Sequence, residues 1–185
     1  MNTWDASIVL AKYLEHNHHF IEDKVVLELG AGTGIAGIAA LLLHARFVRL
    51  TDLKYALPNL LANVESNVNK SSTVESSFDS CAIASKNEYD KFNDKEGPRV
   101  TATATVVKRN NGYAVSELDW SNENTYPRRT YDNTNDGSKE DKLEHYNVVL
   151  GADIVWLEHL IPSLIHALKT IMDSNTMFIF SYQVR

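Results

Sequence analysis

A hydrophobic run that ends directly in glycines, residues 25–37 (VVLELGAGTGIAG), constrains the fold of this 185-residue chain more than any other feature. Residues 24–29 are largely apolar and β-branched, which is typical of a strand buried inside a parallel sheet. Glycines that join a strand to a helix let the main chain approach a ligand, because no Cβ atom stands in the way. The stretch therefore predicts a strand, a tight turn and a helix that together hold a nucleotide-like ligand.

The rest of the chain alternates between helical and strand patterns. Apolar residues at helical spacing predict helices over 3–17, 34–44, 57–68 and 159–173. Buried strands are predicted over 24–29, 47–52, 146–153 and 176–182. This order predicts an α/β fold with an open, mostly parallel twisted sheet and helices on both faces. In such a sheet, the ligand crevice lies beyond the carboxyl ends of the strands.

Two polar stretches interrupt the pattern, near residues 70–98 and 121–145. The first has too few large apolar residues to offset the entropy of ordering it, and we expect a mobile insertion there. Between the two stretches, residues 100–107 and 113–120 read as extended runs around the turn signal Asn110-Asn-Gly112, which predicts a hairpin. We expect a single domain over residues 1–185 that carries both insertions.

Composition limits the partners and the compartment. The net charge is −6 and no cluster of lysine and arginine forms a basic stripe, so nucleic acid is not an expected partner. Cys81 is the one cysteine, which rules out an intrachain disulfide and predicts no structural zinc site. No signal peptide is recognised, and the apolar runs at 35–43 and 148–156 are too short to span a bilayer. We expect a soluble, cytoplasmic protein that is not bound to membranes.

The glycines fit two ligand motifs in different registers. Gly32, Gly34 and Gly37 match Gly-x-Gly-x-x-Gly, the dinucleotide fingerprint, whereas Glu28 followed by Gly30, Gly32 and Gly34 matches a motif for S-adenosylmethionine. A dinucleotide needs the start of the helix clear for its pyrophosphate. A carboxylate at Glu28 would repel those phosphates, but it would attract a sulfonium that also carries an ammonium group. The charge argument therefore favours S-adenosylmethionine.

Asp52 ends the second predicted strand, where its carboxylate can accept both ribose hydroxyls of either cofactor. Asp52, Trp120 and Asp153 all fall at strand carboxyl ends and so converge on one edge of the sheet with the glycine turn. Structural alternatives remain for each residue. The aspartates could cap the helices that follow, and a tryptophan such as Trp120 could be a core residue.

Six short segments together resemble the seven-β-strand protein-lysine methyltransferases of the methyltransferase-like 21 group. The matching segments are WDAS at 4–7, VLELGAGTG at 26–34, LTD at 50–52, LP at 57–58 with Asn63 and Asn67, LDW at 118–120, and GADIV at 151–155. The glycine motif is shared by S-adenosylmethionine methyltransferases in general, whereas the tryptophan, LDW and Ala-Asp combination narrows the resemblance to this group. The resemblance extends from Trp4 to Arg185 and skips the two polar stretches.

The resemblance implies a role for each matching residue. The resemblance places Trp4 at the amino-acid end of the cofactor, Asp52 at the ribose and Trp120 beside the adenine. It also implies cofactor contacts from the glycine turn and from the main chain of the fourth strand. The predicted cofactor-binding residues are Trp4, Glu28, Gly30, Ala31, Gly32, Asp52, Leu53, Trp120 and Ala152. It places the catalytic pair Asp153 and Trp156 on the family's acid-x-x-aromatic motif at the methyl-transfer mouth. Family members usually have Tyr or Phe where this chain has Trp156, so the resemblance implies an aromatic face at this position without a phenol hydroxyl.

The resemblance also implies a β-rich segment before the tryptophan and an antiparallel strand pair after the strand at 177–182. The sequence matches neither, so we expect a sheet without the C-terminal antiparallel strands, in a fragment, a shortened gene product or a sheet that closes differently. The function implied is methyl transfer from S-adenosylmethionine to the ε-amino group of a lysine in a protein, for example a translation factor or a chaperone, by a monomer. The alternatives are a non-catalytic cofactor-binding and protein-interaction module, a methyltransferase acting on a small molecule or a nucleic acid, and a nicotinamide oxidoreductase.

Overall fold

The computed structural model describes residues 5–71, 106–110, 112–132, 139–155 and 157–183. The described α-helices are α1 (Asp5–His16), α2 (Ile35–Leu42), α3 (Leu57–Ser71) and α4 (Ile161–Ile171). The strands are β1 (Val25–Leu29), β2 (Phe47–Asp52), β3 (Val106–Asn110), β4 (Tyr113–Glu117), β5 (Arg128–Asp132), β6 (Lys139–Leu143), β7 (Val148–Ala152) and β8 (Met177–Ser181). Short 3₁₀ turns lie at His18–Phe20, Lys54–Ala56, Glu123–Thr125 and Glu158–Leu160. None of the helices in these described ranges has the length and apolar character needed to cross a membrane.

Six strands form one sheet in the order β3-β4-β2-β1-β7-β8. All neighbouring strands in it run parallel except β3, which is antiparallel to β4. Strand order reverses at β1, because β2 and β4 lie on one side of it and β7 and β8 on the other. The predicted open, mostly parallel sheet is therefore confirmed, and its crevice lies at the carboxyl ends of β1 and β7.

Alternating side chains of the buried strands supply two separate cores. Val26 of β1 and Val148 of β7 belong to one cluster with residues of α1, α2 and α3. The next residues along the strands, Leu27 and Val149, belong to a second cluster that includes Leu164 of α4. Successive side chains of a strand point to opposite faces, so the two clusters lie on the two faces of the sheet. The helices therefore cover both faces, as the apolar strands require.

The hairpin predicted between the polar stretches is present as β3 and β4. Strand β3 continues to Asn110, beyond the predicted end at residue 107, and residues 100–105 lie outside the described residues. Helix α3 continues to Ser71, beyond the predicted end at residue 68, because Leu57, Leu60 and Val64 on its buried face anchor it to the core. The expected insertion over residues 72–98 lies outside the described residues.

The second polar stretch contains regular structure that its composition did not indicate. A 3₁₀ turn at Glu123–Thr125 is followed by β5 and β6, which pair as a separate antiparallel hairpin. Residues at both ends of this hairpin are buried, since Tyr126 is 1% exposed and Glu144 is 7% exposed. The stretch is therefore anchored to the domain at its base.

A buried ion pair provides the anchor after β6. The Arg49 guanidinium on β2 donates to both carboxylate oxygens of Glu144, at 2.7 and 3.0 Å. Arg49 also donates to Ser116 Oγ at 3.1 Å, and the Tyr146 hydroxyl donates to Glu144 at 2.9 Å. Burial raises the pKa of Tyr146 well above its ordinary value, so this phenol stays neutral and acts as a donor. Bidentate, charge-assisted bonds of this kind fix geometry as well as adding stability.

Loss of one member of this pair should destabilise the fold strongly, because the other charge would stay buried without a partner. We expect Glu144→Leu and Arg49→Met each to lower the free energy of unfolding by about 3–5 kcal/mol, and the double variant to lose far less than the sum. Urea unfolding of the four proteins of this cycle measures the coupling. If the double variant lost the sum of the two single losses in unfolding free energy, the pair would not anchor the hairpin.

Candidate functional site

A pocket of about 360 Å³ lies at the carboxyl ends of β1, β2, β4 and β7, where strand order reverses. The described residues that line it come from the turn after β1, the ends of β2, β4 and β7, the start of α1 and the region of α4: Ser7, Gly30, Ala31, Gly32, Thr33, Asp52, Leu53, Tyr55, Leu118, Asp119, Trp120, Ser121, Ala152, Asp153, Ile154, Leu157, Leu160 and Ser163. Its volume is within the range of about 300–1,000 Å³ that small-molecule pockets occupy.

The turn after β1 needs glycine for two reasons. Gly30 and Gly32 both have φ near +57°, a left-handed conformation that other residues rarely adopt. In addition, a Cβ atom on Gly30 would lie only 3.1 Å from the Ile154 side chain and 3.5 Å from the Trp120 ring. The turn is held in place by Ala31, whose N–H donates to the Thr51 carbonyl at 2.9 Å. The glycines thus leave a bare main-chain surface at the bottom of the pocket.

The Asp52 carboxylate closes this turn from the end of β2. One of its oxygens accepts the N–H of Gly32 at 2.7 Å, and the other accepts the N–H of Leu53 at 2.7 Å. Burial raises the pKa of Asp52, and these two N–H groups oppose the shift. The 3₁₀ turn that follows has Leu53 at its N-cap, so Asp52 does not act as a helix cap. Since a carboxylate already occupies the Gly32 N–H, the turn is poorly suited to a pyrophosphate.

Glu28 does not lie where the sequence analysis expected it. Its side chain is 2% exposed, accepts the N–H of Gly37 in α2 at 3.0 Å, and is absent from the described lining of the pocket. Burial, with a smaller contribution from the Asp52 charge, raises the pKa of Glu28 to about 8, and the Gly37 N–H opposes this shift. The expectation that Glu28 presents negative charge to a ligand was therefore wrong. Strand alternation directs this side chain under α2, where burial raises the pKa of its carboxyl group and favours the protonated form.

The negative charge of the pocket comes from other residues. Asp52, Asp119 and Asp153 all line it, and no lysine or arginine appears in the described part of its lining. Carboxylates that line a pocket attract a positively charged ligand and repel a diphosphate. The preference for a sulfonium ligand thus stands on these three aspartates instead of on Glu28.

Asp153 occupies a strained main-chain position directly after β7. Its φ is +57°, although it is not a glycine, and it is 6% exposed. Its N–H donates to the Ser181 carbonyl at 2.8 Å, and its carboxylate accepts the N–H of Gln183 at 3.4 Å. The next 3₁₀ turn is capped at Leu157, so Asp153 is not a helix cap. Strain of this kind is typical of functional sites, where neighbouring structure fixes an unusual conformation.

Trp120 lines the pocket and also packs against the core. Its side chain contacts the core cluster on the α4 face of the sheet. The same side chain therefore packs in the core, which was the structural alternative, and lines the pocket. The pocket also brings together Gly30, Ala31, Gly32, Leu53 and Ala152 from the predicted set. Trp4 and Trp156, which were predicted at the same site, lie outside the described residues.

Several lining residues were not predicted. Asp119 stands next to Trp120 in the LDW segment, and that adjacency was a signal for it. Tyr55 is 77% exposed at the pocket edge and gave no signal, because a lone exposed tyrosine has no distinguishing pattern. Leu160 and Ser163 reach the pocket only through the packing of α4, which sequence spacing does not reveal.

Comparisons with known proteins agree with this geometry. The family described as lysine methyltransferase matches residues 1–82 and 106–185. Over 183 residues, the chain is 31% identical to protein N-lysine methyltransferase METTL21A of Danio rerio and 30% identical to EEF1A lysine methyltransferase 3 of Xenopus tropicalis. Each match covers 98% of this chain but 60% and 57% of the respective relative. The chain thus spans about 60% of the length of the curated relatives it matches.

Solved structures support the fold alone. Protein arginine methyltransferase 10 of Arabidopsis thaliana superposes with a TM-score of 0.51 at 16% identity, over 94% of this chain and 34% of that one. The Trypanosoma brucei PRMT1 enzyme–prozyme complex with AdoHcy superposes with a TM-score of 0.52 at 14% identity, over 93% of this chain and 38% of that one. Both are methyltransferases, so the open sheet is the Rossmann-like arrangement of that class.

The position of Glu28 predicts a specific pH dependence of stability. Its pKa in the folded chain, about 8, lies above the ordinary value of 4.5, so between these values the folded state holds a proton that the unfolded chain has lost. Stability should therefore fall as pH rises through this window, by up to ~1.4 kcal/mol per pH unit. Glu28→Gln keeps an acceptor for the Gly37 N–H but cannot ionise. Its free energy of unfolding should therefore increase relative to that of wild type as the pH rises from 5.5 to 7.5.

Urea unfolding at pH 5.5, 6.5 and 7.5 measures this difference. Glu22→Gln removes an exposed carboxylate nearby in the sequence and serves as the matched control, with no comparable trend expected. A Glu28→Gln difference that stays constant across the three pH values would contradict a protonated Glu28.

Proposed function

This chain belongs to the lysine methyltransferase family, and on that premise we propose that it transfers a methyl group from S-adenosylmethionine to the ε-amino group of a lysine in a protein substrate. One observation carries the proposal. A glycine turn with a bare main-chain surface and the carboxylates of Asp52, Asp119 and Asp153 meet in one pocket at the switch point of the sheet. This combination suits a ligand that joins an adenosine to a cationic end.

The described residues fit an adenosine-bearing cofactor. Each oxygen of the Asp52 carboxylate already accepts one main-chain N–H, which fixes its orientation, and each keeps a lone pair for a ribose hydroxyl. Trp120 offers a half-buried aromatic face for the adenine. Gly30 and Gly32 would let the amino-acid end lie directly against the main chain. When bound, S-adenosylmethionine supplies a methyl group made electrophilic by its sulfonium.

The lysine must lose its proton before it can act as a nucleophile. With an ordinary pKa of about 10.4, presenting it neutral at pH 7 costs roughly 4.6 kcal/mol. An apolar environment lowers the pKa of a buried ammonium, and Ile154, Leu157 and Leu160 supply apolar walls beside Asp153. The proton leaves to solvent as the amine enters this environment.

Asp153 is proposed to orient the incoming amine and not to act as a strong base. Its carboxylate is buried and held by the main chain of Gln183, so its direction is set before the substrate arrives. A tighter contact with the ammonium would stabilise the charged form and slow the reaction. The resemblance implies that Trp156, which lies outside the described residues, has an aromatic role at the methyl-transfer mouth.

The relatives and the net charge support a protein substrate. One relative is named for EEF1A, and a net charge of −6 suits a basic protein surface better than nucleic acid. The proposal therefore includes a protein substrate, such as a translation factor or a chaperone. It also includes action as a monomer in the cytoplasm, which is consistent with a single cysteine and no disulfide.

Loss of the Asp52 carboxylate should weaken cofactor binding. We expect Asp52→Ala to raise the Kd for S-adenosylmethionine at least tenfold, because the ribose loses its acceptor and the Gly32 N–H loses its partner. Isothermal titration calorimetry measures the Kd. Asp23→Ala, which removes an exposed carboxylate paired with Arg46, is the control and should bind as wild type does. Equal affinities of all three proteins would remove Asp52 from the site.

Methyl transfer itself is tested with radiolabelled cofactor and a cell extract. Wild type should label a discrete protein band at lysine, and Asp153→Asn should lose at least tenfold in transfer while it still binds the cofactor, because the orienting charge is gone. Cofactor binding by wild type without any labelled protein would support a non-catalytic binding module. Labelling of a low-molecular-weight product instead would identify a small-molecule methyltransferase.

A further inference from the structure

The wall of the pocket that carries Trp120 is a short loop whose two ends are buried. We call residues 118–126 the post-β4 loop. Leu118 and Tyr126 are 2% and 1% exposed and lie in the core cluster on the α4 face, whereas residues 121–124 are exposed. The pocket is lined by the first part of this loop, which includes Asp119, Trp120 and Ser121. The orientation of the wall therefore depends on what joins its exposed middle to its buried end.

Thr125 closes the loop on itself. The N–H of Asp119 donates to the Thr125 hydroxyl oxygen at 2.8 Å, and the same hydroxyl donates to the Asn122 carbonyl at 2.7 Å. The main chain adds a bond from Asn122 N–H to the Asp119 carbonyl at 2.9 Å. These bonds fix the shape of the loop, but they join loop residues only to each other.

Tyr126 connects the loop to the core. Its ring belongs to the buried cluster with Leu118, Ile154 and Leu164, and its hydroxyl donates to the main-chain carbonyl of Trp120 at 2.8 Å. Ile154 is also the residue that approaches Gly30 beside the Trp120 ring. A buried aromatic ring has few accessible orientations, so the hydroxyl is a rigid donor that fixes the Trp120 main chain relative to the glycine turn.

We propose that Tyr126 is a positioning residue for the adenine end of the cofactor pocket, acting through the carbonyl of Trp120. The inference rests on the proposed function, since it assigns Trp120 to the adenine. Because Tyr126 holds this wall in its binding geometry before the ligand arrives, binding does not cost the entropy of ordering the wall. Loss of the Tyr126 hydroxyl should weaken cofactor binding and leave the chemical step unchanged.

The test compares two tyrosine-to-phenylalanine changes. Tyr126→Phe removes only the hydroxyl that reaches Trp120. Tyr113→Phe is the matched control, because Tyr113 is 2% exposed and its hydroxyl has no hydrogen-bond partner among the described residues. We expect the Kd for S-adenosylmethionine to rise roughly threefold to tenfold in Tyr126→Phe and to stay at the wild-type value in Tyr113→Phe. The same rise is expected for 5′-methylthioadenosine, which lacks the amino-acid end.

Two further measurements separate positioning from general loss of stability. In steady-state assays, Tyr126→Phe should raise the KM for S-adenosylmethionine without changing kcat or the KM for the protein substrate. In the ligand-free protein, amide hydrogen exchange over residues 119–122 should be faster in Tyr126→Phe than in Tyr113→Phe. If Tyr126→Phe does not fold, Thr125→Ala, which opens the same loop, carries the same expectations.

Wild-type affinity together with wild-type exchange in Tyr126→Phe would overturn the inference and leave the proposed function standing. Equal losses of affinity in Tyr126→Phe and Tyr113→Phe would also overturn it, since they would reflect stability alone. Failure of wild type to bind the cofactor at all, with faster exchange still confined to Tyr126→Phe, would overturn the proposed function and with it the assignment of the wall to adenine.

Discussion

The hydrogen bond from the Gly32 N–H to the Asp52 carboxylate is the contact on which the site depends. It joins the carboxyl ends of β1 and β2, and it requires the left-handed conformation that glycine alone adopts readily at Gly30 and Gly32. The bond places a carboxylate where a dinucleotide would need a free N–H for its phosphates. One contact therefore shapes the turn and selects against one class of cofactor.

Some charged side chains of the protein line the pocket, and others stabilise the fold around it. Asp52, Asp119 and Asp153 line the pocket, whereas Glu28 is buried under α2, where burial raises its pKa to about 8. Arg49 and Glu144 form a buried pair that ties the β5–β6 hairpin to the sheet. The post-β4 loop, which lines the pocket, precedes this hairpin in the chain.

Most of the sheet could be predicted from the sequence, because strands buried on both faces are continuous apolar runs and glycines mark the turn at their end. The positions of Asp52, Trp120 and Asp153 at one edge of the sheet could be predicted for the same reason, since these residues lie at or just after the carboxyl ends of parallel strands. The direction of Glu28 was missed, because motif position does not specify the face of the strand. The ordered structure within residues 121–145 was missed too, because its composition is polar and the buried pair that anchors it joins Glu144 to Arg49, which is distant in the sequence. Tyr55 and Ser163 reach the pocket only through tertiary packing.

The central claim is that an anionic pocket with a glycine turn binds a cationic adenosine cofactor in preference to a diphosphate. The most direct test is calorimetric titration of the wild-type chain with S-adenosylmethionine and, separately, with NAD under the same salt conditions. The account predicts saturable binding of S-adenosylmethionine at one site and no measurable heat of binding for NAD. Saturable binding of NAD without binding of S-adenosylmethionine would contradict it.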